Sequence, residues 1–168
     1  MALTLFLHNR AKAGQDVPRK LTIAALDERG LEDVHALNKR NGLAIAVEYA
    51  VTRESEAADR LVERLPPGSM VVNATGLGKD RPGSPLTDAV RFPRNGIVWD
   101  FNYRGDLGFL RQARAGERSR GLRVEDGWVY FIHGWARVIA EVFAIDIPTA
   151  GPEFDRLSRI ALEAAAQS

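Results

Sequence analysis

The 168 residues carry 23 basic and 22 acidic side chains, a formal charge of +1, and 45% are apolar. This is an ordinary globular composition for about one domain, and its neutral balance argues against nucleic acid as the partner. The chain has no cysteine, which removes any disulfide framework, thiolate metal site or Cys nucleophile and fits the cytoplasm; no apolar run reaches the roughly 20 residues of a membrane span, so no membrane is expected.

Residues 2–13 place Leu3, Phe6 and Leu7 on one helical face, with Gly14 as a stop. They lack the basic start and small-residue cleavage site of a signal peptide. Residues 19–26 form an apolar run rich in β-branched side chains and predict a strand. Leu31, Val34 and Leu37 then recur at helical spacing up to Asn41-Gly42. Residues 43–49 predict a second strand. Ser55 is a candidate N-cap for a helix over 56–65, which Pro66-Pro67-Gly68 ends. Residues 69–74 predict a third strand, followed by a Gly/Pro-rich loop over 75–85 and a single helical turn within 85–91. A strand is predicted at 96–101, a helix at 106–115 and a short strand at 122–124. Asp126-Gly127 is a turn, residues 128–145 carry the longest helical pattern, and 153–167 form a last helix after the break at 148–152.

Strands alternating with helices of this length indicate parallel βαβ units. Their strands read as apolar throughout, as expected when helices cover both sheet faces. In open α/β sheets, ligands bind beyond the carboxyl ends of the strands, so polar residues at strand ends are the candidates for chemistry.

Four such places stand out. Asp27 follows the first predicted strand, where a carboxylate can accept from the ribose hydroxyls of a dinucleotide, and Arg29 is placed to pair instead with a 2′-phosphate; the alternative is that Asp27 simply caps the next helix. Asn73, Ala74 and Thr75 end the third strand and lead into glycines that permit close backbone approach, or else form a plain surface turn. The spacing is not that of a phosphate-binding P-loop. Asp100-Phe101-Asn102-Tyr103 ends the next strand, and Tyr103 is placed to reach a substrate hydroxyl or carboxylate, or to pack beneath a loop. Gly127 precedes a helix carrying Trp128, Tyr130, Phe131, His133 and Trp135; His133 is a candidate for proton transfer or a packed histidine. His8 and His35 lack metal-ligand spacing, and no metal site is expected.

At these residues the chain resembles the shikimate/quinate dehydrogenase family. Val71-Val72-Asn73-Ala74-Thr75-Gly76-Leu77-Gly78 is similar to that family's strand ending in Asn-Ala-Thr. Val98-Trp99-Asp100-Phe101-Asn102-Tyr103 is similar to its Asp-x-x-Tyr strand, and Asp126-Gly127 to the opening of its C-terminal helix. The three motifs occur in order and span about residues 20–146.

The resemblance implies a Rossmann-like, doubly wound parallel α/β sheet: a partial NAD(P)-binding domain over 1–148 with a C-terminal helical extension over 149–168. It implies reversible hydride transfer between a nicotinamide cofactor and 3-dehydroshikimate, shikimate or a related polyol acid, within aromatic amino acid biosynthesis. Asn73, Ala74, Thr75 and Gly127 would line the cofactor, Asp27 and Arg29 would face its ribose, and Tyr103 and His133 would face the substrate. Asp27 tilts the cofactor toward NAD, while Arg29 keeps NADP open. The family's catalytic Lys and Asp, its first Rossmann strand and its Gly-rich diphosphate loop have no match here, so the expectation is an N-terminally truncated domain, inactive by itself. Without that central strand, the strands at 20–26 and 69–74 either pair directly or leave a gap. A second reading follows: a non-catalytic nucleotide-binding or assembly module, completed by a homo-oligomer or a complementing chain.

Overall fold

Backbone pairing, rather than apolarity alone, decides where the strands of this α/β chain begin. The computed structural model describes residues 2–79 and 81–165. The chain divides into two compact units, Met1–Leu61 and Val62–Ser168.

The first unit holds α1 (Ala2–Lys12), β1 (Lys20–Ala25), α2 (Glu28–Asn41) and β2 (Ala46–Val51). β1 and β2 are parallel, with Lys20 opposite Ala46 and Ala25 opposite Val51. This register starts β2 three residues later than the predicted 43–49. Of the displaced residues, Ala44 donates its N–H to His8 Nδ1 at 3.2 Å and Ile45 is buried without joining the ladder. The side chains of β1 alternate between exposed and half-buried, the pattern of a sheet covered on one face.

The helix α3 (Ser55–Glu63) crosses the boundary between the units. The second unit then holds β3 (Met70–Asn73), β4 (Ile97–Asp100), α4 (Gly108–Arg120), β5 (Arg123–Glu125), α5 (Trp128–Phe143) and α6 (Pro152–Ala165). Its sheet is parallel in the order β3-β4-β5, with Asn73 opposite Asp100 and Trp99 opposite Glu125. Val98 on β4 and Phe109, Leu110 and Ala113 on α4 are almost wholly enclosed, and Phe92 meets Phe109 edge-on at 5.7 Å.

Three boundaries differ from expectation. Within 85–91 the expected helical turn is reduced to one backbone bond, Val90 N to Thr87 O at 3.2 Å: Ser84 Oγ accepts from Leu86 N and Thr87 Oγ1 from Ala89 N, so side-chain oxygens take amides that a helix would use. The predicted helix at 106–115 starts at Gly108 and continues to Arg120, where Gly121 at φ 64° donates its N–H to Glu117 O. The strand predicted at 122–124 moves on by one residue, because Arg123 is the residue opposite Ile97.

The strands of 20–25 and 70–73 belong to two sheets, β1-β2 in the first unit and β3-β4-β5 in the second. Parallel strands joined through helices give the chain the expected Rossmann-like α/β class. Among the described residues no helix is long and apolar enough to cross a membrane.

Candidate functional site

The carboxyl ends of β3 and β4 carry a connected set of buried polar side chains. Asn73, the last residue of β3, is 1% exposed, and Asp100, the last of β4, is 0% exposed. Their parallel register sets them side by side, and Asn73 Nδ2 donates to Asp100 Oδ1 at 3.1 Å.

Asn73 also folds the chain that follows it. Its Oδ1 accepts from Thr75 N at 3.1 Å and Thr75 Oγ1 at 2.7 Å, and Thr75 Oγ1 in turn accepts from Leu77 N at 3.2 Å. Such side-chain turns are the local chemistry of Asn and Thr. The carbonyl of Leu77 then accepts from Asn73 Nδ2 at 3.3 Å and Asn102 Nδ2 at 2.8 Å. Asn102 N donates to Asp100 Oδ1 at 2.9 Å, and Asn102 O accepts from Gly127 N at 2.9 Å. One continuous network therefore joins the three segments that carried the sequence motifs.

Asp100 Oδ2 is buried and has no hydrogen-bond partner. Burial pushes the Asp100 carboxyl above the ordinary aspartate range, the hydrogen bonds from Asn102 N and Asn73 oppose this, and the Asp126 carboxylate adds to the rise.

What remains open to a ligand is mostly backbone. Ala74 and Thr75 are exposed and Gly76, half-buried, sits at φ 76°, whereas Asn73 points inward. Gly127 is required by packing, since a Cβ there would lie 2.0 Å from Phe101 O. Asp126 Oδ1 accepts from Trp128 N at 2.9 Å and so starts α5.

Tyr103 joins this region from the end of β4. Its ring stacks on Phe131 with centroids 4.0 Å apart and meets Trp128 at 5.7 Å, while Lys79 Nζ and the Arg104 guanidinium each lie 5.8 Å from its centroid. His133 lies further along α5, about 9 Å from Gly127 by helix rise, and stacks on Phe154 of α6 at 4.5 Å. It belongs to the packing of α6 on α5, which also buries Ile132 and Ala136 and joins Trp128 Nε1 to Ser158 Oγ at 3.0 Å.

Asp27 and Arg29 lie in the first unit. Asp27 caps α2, with Oδ1 accepting from Gly30 N at 2.8 Å, and Arg29 is exposed. Sequence reasoning grouped Asp100 and Asn102 with Tyr103 but gave the role to the tyrosine; two polar residues closing an apolar strand were the signal for the network. The burial of His8 had no such signal. Among the described residues no group of three or more His, Cys, Asp or Glu side chains is placed to hold a metal.

No family model matches the chain, and no curated protein matches it. Among solved structures it is similar to a chorismate mutase/shikimate 5-dehydrogenase fusion protein from Clostridium acetobutylicum, with 17% identity and a TM-score of 0.55 over 95% of this chain. The match covers 59% of that protein, so the chain spans less than two thirds of its length. At this identity the likeness establishes a shared fold.

Proposed function

We propose that the chain is the nicotinamide-dinucleotide-binding part of a shikimate dehydrogenase-like oxidoreductase, working in the cytoplasm on shikimate or a related polyol acid. The observation that carries this reading is the convergence of Asn73, Asn102 and Gly127, from three separate segments, in one hydrogen-bonded network at the carboxyl edge of a parallel sheet. That edge is where α/β sheets of this kind hold their ligands, and the fold is shared with a chorismate mutase/shikimate 5-dehydrogenase fusion protein.

The residues fit a dinucleotide in a particular way. The exposed backbone of Ala74 to Gly76 and the Thr75 hydroxyl offer neutral polar contacts to a nicotinamide or ribose, and the buried Asn73 holds that backbone in place. Tyr103, with Lys79 and Arg104 beside its ring, faces an anionic substrate. Of the two nicotinamide dinucleotides, NAD is preferred over NADP. The bound cofactor supplies or accepts the hydride; the chain's own residues bind and orient.

Isothermal calorimetry with NAD and with NADP tests the reading. Saturable binding of one of them, weakened by Thr75→Trp at the exposed edge, is the expected result. No heat with either dinucleotide sinks it.

A second reading is a non-catalytic module covered by another chain or a second copy. It is favoured by one observation: Trp135, Val138, Val142 and Phe143 on α5 are 50–70% exposed, a larger apolar stripe than a lone soluble domain usually shows. Dinucleotide binding without turnover, together with a concentration-dependent mass in sedimentation, would select it.

A further inference from the structure

Asp100 has a chemistry that dinucleotide binding leaves unused. It is wholly enclosed, yet the partners of its carboxyl are neutral and lie on one side only. Oδ1 accepts from Asn73 Nδ2 and from Asn102 N, while Oδ2, equally buried, has no partner. The groups that face it are the neutral Asn73 from β3, the neutral Asn102 from its own strand end, and the Asp126 carboxylate from the turn before α5. No cation is paired with it among the described residues.

An enclosed carboxylate in such surroundings has one oxygen carrying charge with nothing to stabilise it, and a like charge nearby. An unpaired ionised carboxylate is far costlier to bury than an unpaired hydroxyl. The neutral acid is compatible with this bonding: Oδ1 can take the two N–H donors as a carbonyl oxygen with the proton on Oδ2. We propose that Asp100 works as a neutral carboxylic acid, and that in this form it positions the turn from Asn73 to Leu77 and the strand end at Asn102, the fold losing stability when the proton is lost and a charge is left buried.

The connection to the edge is direct. Asp100 fixes the Asn73 amide; the Asn73 amide fixes Thr75 and the Leu77 carbonyl; and that carbonyl holds Asn102, whose own N–H returns to Asp100. Asp100 is thus a positioning residue. Its consequence for ligands rests on the dinucleotide reading above, but the device itself concerns only the folded chain.

The sign of its pH dependence follows from the raised carboxyl. Above the unfolded value of 3.8 the unfolded chain has released this proton while the folded chain keeps it, so the contribution of Asp100 to stability falls as pH rises through its folded pKa.

The test uses the full chain without ligand. Asp100→Asn keeps the Oδ1 acceptor and removes the titration. Its melting temperature is expected to gain on the wild type's as pH rises above the ordinary aspartate range, with amide exchange at Thr75 and Asn102 as slow as in the wild type. Asp100→Leu, which removes the acceptor, is expected to speed exchange at those two amides about tenfold or more. A melting-temperature gap that narrows or reverses with rising pH overturns the proposal, as does unchanged exchange in Asp100→Leu. If the leucine variant does not fold, the asparagine variant alone decides through its pH trend. Neither readout requires a dinucleotide, so a failed dinucleotide titration leaves this result standing and the converse also holds.

Discussion

Gly127 packs its α-carbon against the carbonyl of Phe101 so closely that a methyl group there would lie 2.0 Å from the oxygen. The contact is made between two backbones, and the neighbouring hydrogen bond from Gly127 N to Asn102 O holds it in register. Neither side can swing away as a flexible side chain would. Gly127→Ala is therefore expected to destabilise the second unit by about 3 kcal/mol, at the upper end of overpacking costs, read as a lower urea midpoint with the slope unchanged. A Gly127→Ala variant of wild-type stability would show that the glycine is kept for ligand access alone.

Asn73 fills three roles with one amide: it donates to Asp100 and Leu77 and accepts from Thr75. Truncation by Asn73→Ala removes these bonds, though Asp100 Oδ1 keeps Asn102 N and the Leu77 carbonyl keeps Asn102 Nδ2, and is expected to cost about 1–3 kcal/mol, two or so lost hydrogen bonds at their usual net worth. Asn73→Asp keeps the shape but sets a second carboxyl against Asp100, so its deficit is expected to grow as pH rises, since two carboxylates at this distance resist joint ionisation. Denaturation of both variants across a pH series checks this; equal deficits for Asn73→Asp at low and high pH would contradict it.

Asp27 has its capping role in plain view, with Oδ1 on Gly30 N at the start of α2. Asp27→Ala is expected to cost about 1 kcal/mol, the usual value for a lost N-cap, and Asp27→Ser to recover most of it. The two variants also separate capping from ribose binding. If the carboxylate contacts the ribose, Asp27→Ser restores stability but not NAD affinity; if it only caps, both return together.

The parts legible in the sequence were those set by local chemistry. The Pro-Pro-Gly run at 66–68 marked the break after α3, and β3 and β4 were readable as apolar strands closed by polar residues, whereas α4 runs five residues past its expected end to Arg120. The start of β2 was not legible, because residues 43–45 are as apolar as those that follow and only the register with β1 tells them apart. The helical turn expected within 85–91 is cut to a single backbone bond because Ser84 and Thr87 side chains take over amide donors that a helix would have used. At the site, Asn73 read as a ligand contact and proved to be buried, since a sequence shows that a polar group ends a strand but not which way it faces. The buried His8, with Nδ1 accepting from Ala44 N, depends on a neighbour 36 residues away and left no local trace.

The end of α5 offers a gain in stability rather than a loss. Ala144 closes the helix in the left-handed conformation, at φ 51° and ψ 43°, and its N–H donates to Ala140 O. For a residue with a Cβ this conformation costs roughly 1–2 kcal/mol, because the methyl approaches the following carbonyl; glycine adopts it without that clash and is the usual residue at such an end. Ala144 is exposed, so removing its methyl takes little from the core. Against the relieved strain stands the greater freedom that glycine gives the unfolded chain, worth about 0.4–1 kcal/mol. The balance favours the variant: Ala144→Gly is expected to raise stability by about 0.5–1 kcal/mol, seen as a higher melting temperature. Ala144→Val, which adds a β-branch in the same conformation, is expected to lower it. Thermal melts of the pair check the strain directly, and a less stable Ala144→Gly would mean that α5 ends differently in solution.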